Sequence, residues 1–488
     1  MNNEIAKLSP QGLWESFYKL TQIPRPSKKE GKAIDFMEEF GKSLGLETIR
    51  DEVGNIIIRK PATPGYEDRM GVVLQSHIDM VPQKNSDKEH NFETDPIETY
   101  IEEGWVTANG TTLGADNGIG VAAAMAVLQA TDLEHGPVEA LITMDEEAGM
   151  TGANGLKPGI LKGDILLNMD SEDEGELYVG CAGGSDANIK FTYTDAEVPA
   201  DSVAFKLSLI GLKGGHSGMD IVLGRGNANK LMFRFLKFAV ANDEARLASI
   251  DGGSLRNAIP REAFAVVTVP QANADDFIDS LEEYEDIYKA EFGSVEPDLS
   301  FTAEKVDLPS SLIDEVTQDD LINGVIAAPN GVMRMSTDME GLVETSTNLA
   351  IVKSGNGIIE VKCLMRSSVN TAIEALESKM ESVFRLAGAE VNFGGQYPGW
   401  KPNMESPILK TMQDVYNKKW GKIPQIKAIH AGLECGILGS AYPNWDMISF
   451  GPTIRFPHSP DEKVNIETVQ KFWDYLVETL RNIPVKNN

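Results

Sequence analysis

Gly71-Val72-Val73-Leu74-Gln75-Ser76-His77-Ile78-Asp79-Met80 places an apolar, β-rich run directly before a histidine and an acid. The arrangement returns twice: residues 138–144 lead into Asp145-Glu146-Glu147, and residues 164–169 lead into Asp170. Short apolar runs without polar alternation read as strands buried on both faces, as in a parallel sheet. Residues 55–59 form a further run, and residues 447–450 precede a loop that contains His458. Helix signals lie between the runs. Residues 117–130 are dense in Ala and Val, and Ser27 followed by Glu30 is a capping-box pattern for a helix running towards Gly45. This alternation predicts an α/β domain with a mainly parallel central sheet flanked by helices.

In such a sheet, ligands bind beyond the carboxyl ends of the strands. His77, Asp79, Glu146, Glu147, Asp170 and His458 therefore converge on one edge, joined by Asp116 just before the helix 117–130. Asp116-Asn117-Gly118 alone reads as a turn or helix N-cap, a Glu pair as a solvated loop, and a single His as a hydrogen-bonded bystander. Their shared place at strand ends argues for a joint site. Carboxylates packed so closely need a counter-charge, and no Lys or Arg stands beside them in sequence. His with Asp and Glu is a common donor set for zinc, and these donors exceed the needs of one tetrahedral ion. Two ions sharing a bridging carboxylate fit the count.

With 488 residues the chain is expected to form two domains. The texture changes after Gly180, where strands alternate more clearly and acidic helices appear, and an α/β pattern returns from Pro407. The expected organisation is a discontinuous catalytic domain, residues 1–186 and 400–488, around an inserted α+β lid or dimerisation domain, residues 187–399. Within the insert, the strand–helix–strand segments near 263–303 and 357–393 look like a duplicated unit.

The net charge of −30 argues against nucleic-acid and anionic-membrane partners. Three scattered cysteines build no disulfide framework, and residues 1–9 carry no signal-peptide core. A cytoplasmic protein is expected. The glycines around His216 lack the Gly-Lys-Ser/Thr ending of a phosphate loop, and no His is placed beside Cys435 as a nucleophile requires. His90 and His135 match no motif and are expected at the surface.

Ser76-His77-Ile78-Asp79-Met80-Val81-Pro82, Gly114-Ala115-Asp116-Asn117-Gly118, Asp145-Glu146-Glu147 and Asn168-Met169-Asp170-Ser171-Glu172 together resemble the signature of the cocatalytic zinc peptidases. That superfamily includes aminoacylases, glutamate carboxypeptidases and dipeptidases. His430-Ala431-Gly432-Leu433-Glu434-Cys435-Gly436 and Phe456-Pro457-His458-Ser459-Pro460-Asp461-Glu462 extend the resemblance, towards its Xaa-His dipeptidases, over essentially the whole chain. It implies two Zn2+ per subunit, replaceable by Mn2+ or Co2+. Asp116 would bridge them, His77 and Asp170 completing one site and Glu147 and His458 the other. Glu146 would be the general base and Asp79 the partner of His77. His216 would stabilise the oxyanion, while Asn257, Arg366 and Glu434 would bind substrate, with Arg366 on its carboxylate. Small peptides, above all dipeptides including Xaa-His, would be the substrates of a homodimer. An N-acyl amino acid deacylase or carboxypeptidase shares this metal core, and a non-catalytic peptide or metal binder is the rival outside enzymes, although it would not need Glu146.

Overall fold

The computed structural model describes residues 4–486 of the chain. The chain folds into two compact units. One comprises Met1–Cys181, Trp400–Ala428 and Leu433–Asn488, and the other Ala182–Gly399 and Ile429–Gly432. Ile429–Gly432, in a region that sequence texture assigns to the catalytic part, thus packs with the insert.

The first unit is built on an eight-stranded sheet. Its order is Glu47–Arg50, Ile56–Lys60, Val138–Thr143, Val72–His77, Ile165–Asn168, Asp446–Ser449, Glu176–Cys181, Gln425–Ile429. The four central strands, from Val138–Thr143 to Asp446–Ser449, run parallel. Ile56–Lys60 and Glu176–Cys181 flank them antiparallel. Every residue of Val72–His77, Val138–Thr143 and Ile165–Asn168 is buried, which is why these strands read as mainly apolar runs without regular polar alternation. The helix Ala115–Gln129 is apolar around its circumference and packs between the strand Val72–His77 and the helix Gln11–Thr21. A smaller four-stranded sheet pairs Ile454–Arg455 with Lys463–Asn465, so that His458 lies in the loop of a hairpin.

Two local expectations are corrected. The helix Gly31–Ser43 forms, but without a capping box: Ser27 Oγ donates to Asp79 Oδ2, and Glu30 is buried without a side-chain cap bond. The Ser27 hydroxyl is turned towards tertiary acceptors, Asp79 and the carbonyl of Met80, instead of the helix N-terminus. His135 is fully buried, not at the surface, with Nδ1 2.7 Å from the carbonyl of Gly136, and His90 is only partly exposed.

The second unit contains two copies of one strand–helix–strand–strand–helix–strand pattern. The first runs Ser202–Ile210, Ala228–Asn242, Arg246–Gly252, Ala263–Pro270, Ala274–Phe292, Ser300–Val306. The second begins with Gly183–Thr192 and resumes with Glu315–Ala327, Val343–Gly355, Ile358–Ser367, Asn370–Leu386 and Glu390–Tyr397. The first copy is therefore inserted after the opening strand of the second. The strands of both copies are ordered fourth, first, third, second, and the two second strands pair antiparallel at Asp251–Lys353 and Gly252–Val352. The helices pack on the sheet over a core that includes Phe205, Phe235, Phe277, Phe301 and Phe384.

Candidate active site

The central parallel strands all end towards the same edge, and the ionisable side chains follow. His77 is the last residue of its strand, Asp170 follows Ile165–Asn168 by two residues, and Glu146 and Glu147 form the first turn after Val138–Thr143. Asp116 lies at the head of the helix Ala115–Gln129 with non-helical backbone (φ −80°, ψ 107°), and its peptide bond to Asn117 is cis.

Asp116 faces two histidines. Its Oδ1 is 3.2 Å from His77 Nε2, and its Oδ2 is 3.2 Å from His458 Nε2. Asp170 Oδ1 lies 3.4 Å from His77 Nε2, and Glu147 Oε2 lies 3.0 Å from His458 Nε2. Donor atoms of His77, Asp116 and Asp170 fall within 4.8 Å of one another, as do those of Asp116, Glu147 and His458. A third such group joins His77 to Glu146 and Glu147. Asp79, fully buried, sets Oδ1 3.3 Å from His77 Nδ1 and accepts the backbone N–H groups of Glu146 and Glu147.

The electrostatics are those of an anionic cluster short of positive charge. Burial and the neighbouring acids Asp116 and Asp170 push Glu172 up to about 8. Burial raises Asp170 to about 6 against the pull of His77, and holds Glu146 well above the usual carboxylate range. Hydrogen bonds to Asp116 and Glu147 lift His458 to about 11. Burial opposes charge on His77, but Asp170, Asp116 and Asp79 outweigh it and hold the imidazole well above its ordinary value. Burial likewise opposes ionisation of Asp79, which His77 and the N–H of Glu146 nevertheless bring down to about 2. Glu147 Oε1 and Asp170 Oδ1 are buried without a hydrogen bond among the described residues. Imidazole and carboxylate donors, with two carboxylate oxygens short of a hydrogen bond and one carboxylate facing both histidines, fit a pair of divalent cations.

Three charged residues near this cluster have no role assigned from sequence. Arg25, 1% exposed, donates to the carbonyls of Ile78, Asp79 and Gly114, and burial pushes its guanidinium down to about 10. It supplies a counter-charge that the residues adjacent in sequence do not. Lys28 pairs with Asp145 at 2.8 Å. Glu462, 2% exposed, accepts four backbone N–H groups from Leu113 to Asp116. Its place four residues after His458 in a quoted motif was the available signal; Arg25, between two prolines far upstream, offered none.

Glu434, expected to bind substrate, is held by the sheet beneath the site. It is 1% exposed, and its Oε2 accepts from Gln75 Nε2 at 2.6 Å and Thr143 Oγ1 at 2.9 Å. It braces two central strands beneath the site.

The remaining expected residues lie in the second unit. His216 Nδ1 accepts from the N–H groups of Gly218 and Met219, and burial, aided by Arg366, lowers its pKa. Arg366, 6% exposed, donates to Tyr397 Oη at 3.0 Å and leaves Nε without a hydrogen bond among the described residues. His430 is buried 2.7 Å from Ser346 Oγ, and burial, Arg366 and His216 bring it down to about 3. Asn257 is exposed, and its carbonyl accepts the Ser217 N–H beside His216.

Comparison with known proteins places this geometry. The profile of Peptidase family M20/M25/M40 matches residues 73–482. Cytosol non-specific dipeptidase of Escherichia coli (strain K12) is 47% identical over 484 residues, covering 99% of this chain and 100% of that protein. The crystal structure of aminoacylhistidine dipeptidase from Vibrio alginolyticus superposes with a TM-score of 0.96 at 51% identity, covering 99% of each chain. Aminopeptidase PepT from Bacillus cereus, at 16% identity, TM-score 0.57 and coverage of 98% and 99%, shares the fold.

Proposed function

The chain belongs to peptidase family M20/M25/M40 and is a peptide-bond hydrolase, and on that premise we propose that it cleaves dipeptides, Xaa-His dipeptides included, with two divalent metal ions. The observation that carries this reading is the carboxylate of Asp116, one oxygen on His77 and the other on His458. His77, Asp116 and Asp170 would hold one ion, and Asp116, Glu147 and His458 the other. Zinc is the assigned metal, with manganese or cobalt able to replace it, since imidazole and carboxylate donors suit all three. When bound, such ions make a water acidic enough to ionise near neutral pH and polarise a carbonyl oxygen.

The chain's own residues do the rest. Glu146, 4.0 Å from His77 Nε2, takes the proton of the attacking water and passes it to the leaving amine. Asp79 holds the His77 ring while its second oxygen anchors the turn that carries Glu147. Because His216 Nδ1 accepts two N–H groups, the neutral ring carries its proton on Nε2, the donor needed by a carbonyl oxygen gaining charge. Arg366 is assigned to the C-terminal carboxylate of the peptide, a charge-assisted and bidentate partner, and Asn257 to the same substrate. Glu434 is assigned a bracing role.

The relatives named dipeptidases support the substrate class, and the E. coli name supports a cytoplasmic location. No helix among the described residues is long and apolar enough to cross a membrane. The proposal includes a homodimer, which sedimentation tests. For the activity, the metal-stripped protein is assayed with added Zn2+, Mn2+ or Co2+ on dipeptides, their N-acetyl derivatives and tripeptides. Metal-restored cleavage confined to free dipeptides supports the reading; preference for the N-acetyl derivatives would replace it with deacylation or carboxypeptidase action.

A further inference from the structure

We propose that Glu462 is a positioning residue that holds Asp116 and His458, two ligands 342 residues apart in the chain, in register for one metal ion; the inference rests on the two-metal reading above. Glu462 is 2% exposed, and each of its oxygens accepts two successive backbone N–H groups. Oε2 takes those of Leu113 (2.8 Å) and Gly114 (2.9 Å), and Oε1 those of Ala115 (2.7 Å) and Asp116 (3.2 Å). Four donors on one carboxylate fix the turn from which the Asp116 side chain departs. The turn needs such a clamp because its backbone is irregular. Gly114 has φ +69°, where a Cβ would come within 2.6 Å of the Arg25 guanidinium, and Asp116 is non-helical inside a helix. Donors at the first turn of a helix have no partner of their own within the helix. Here a side chain from the far end of the sequence supplies one.

The other end of the link is His458. Its side chain is half exposed, and its hydrogen-bonding and ionic contacts among the described residues are Asp116 and Glu147. With these two carboxylates as its polar partners among the described residues, the ring takes its position from its loop. That loop is tied down at Glu462, whose N–H reaches the carbonyl of Ser459 at 3.0 Å and whose carbonyl accepts from Thr107 Oγ1 at 2.8 Å. Lys463 next to it lies 4.9 Å over the Trp105 ring. One residue therefore ends the His458 loop and begins the Asp116 turn. An amide of the same size cannot replace it, because its NH2 would face two N–H donors.

The test uses the full-length protein, stripped of metal and titrated with Zn2+ by calorimetry, comparing wild type, Glu462→Gln and Glu139→Gln. Glu139 is a buried control away from the site, whose Oε2 accepts the N–H groups of Lys162 and Gly163 and whose Oε1 pairs with Arg59 at 2.8 Å. We expect wild type to bind two equivalents. Glu462→Gln should weaken both equivalents, because Asp116 serves both, and most of all the one that also needs His458, by about 10- to 100-fold, the usual effect of removing a group that orients a ligand. Glu139→Gln should bind both as wild type does, at a comparable loss of melting temperature in the metal-free state. Glu462→Asp, which keeps the charge but falls short of the four donors, should lie between. It serves in place of Glu462→Gln if that variant does not fold. Two tight equivalents in the Glu462 variants, or equal loss of metal in Glu139→Gln, would overturn the inference. Failure of wild type to bind two equivalents would instead overturn the two-metal reading.

Discussion

Asp79 and His77 form a buried pair, Oδ1 to Nδ1 at 3.3 Å, and the same carboxylate accepts the N–H groups of both Glu146 and Glu147. One acid thus sets the imidazole on one strand end and the turn after another. Asp79→Asn puts an NH2 where one oxygen now accepts a donor. We expect metal affinity to fall about 10- to 100-fold, with kcat falling as well. Zn2+ titration of the stripped variant measures it, and wild-type affinity would show that the ring needs no partner.

Glu146→Gln should keep both metal equivalents and lose about 10²- to 10⁴-fold in kcat. The side chain reaches no closer than 4.0 Å to His77 Nε2, so its loss leaves the Asp116, Asp170 and Glu147 contacts intact. Metal analysis alongside kinetics separates a lost base from a lost ligand.

Asp116→Ala and Asp170→Ala should behave differently. Asp116 touches both histidines, whereas Asp170 touches His77 alone. Dialysis against a metal-free buffer should leave Asp116→Ala with neither equivalent and Asp170→Ala with about one. Equal partial losses in the two variants would contradict sharing.

Amidating the C-terminus of a dipeptide should lower kcat/KM by about 10- to 150-fold in wild type, the worth of one charged hydrogen bond. In Arg366→Ala the two substrates should be cleaved at similar, low rates. If the variant still prefers the free acid, another group reads the carboxylate.

His430 gives an acid sensitivity of definite sign. Burial and the nearby Arg366 and His216 hold it at about 3, against about 6.5 in an unfolded chain. A depressed pKa means that the unfolded state binds the proton first, so its stabilising share is intact above 6.5 and is lost as pH falls towards 3. Each pH unit in that window costs up to about 1.4 kcal/mol. Urea unfolding of metal-free protein at pH 7 and pH 5 should show wild type losing roughly 2 kcal/mol more than His430→Gln over that interval. Parallel losses would mean that His430 is protonated in the fold.

The amino-acid order by itself determined the α/β frame and the edge on which the acids and histidines gather. Burial on both faces makes a strand mostly apolar, so Val72–His77, Val138–Thr143 and Ile165–Asn168 announce themselves, and His77, Glu147 and Asp170 are counted from their ends, whereas Asp116 is counted from the start of a helix. The duplicated unit of the insert was visible in part, because its third strand, second helix and fourth strand are contiguous in both copies. The copy inserted after Gly183–Thr192 separates that opening strand from its own helix, and local periodicity carries no trace of such an interruption. Tertiary structure alone decided the rest. Ser27 forsakes a cap for Asp79, Glu434 braces Gln75 and Thr143, Arg25 arrives from the N-terminal segment, and Glu462 reaches back to Leu113–Asp116. Each is a polar group removed from water, which must find its partner wherever the fold brings one, and that partner is set by three-dimensional proximity rather than by spacing along the chain.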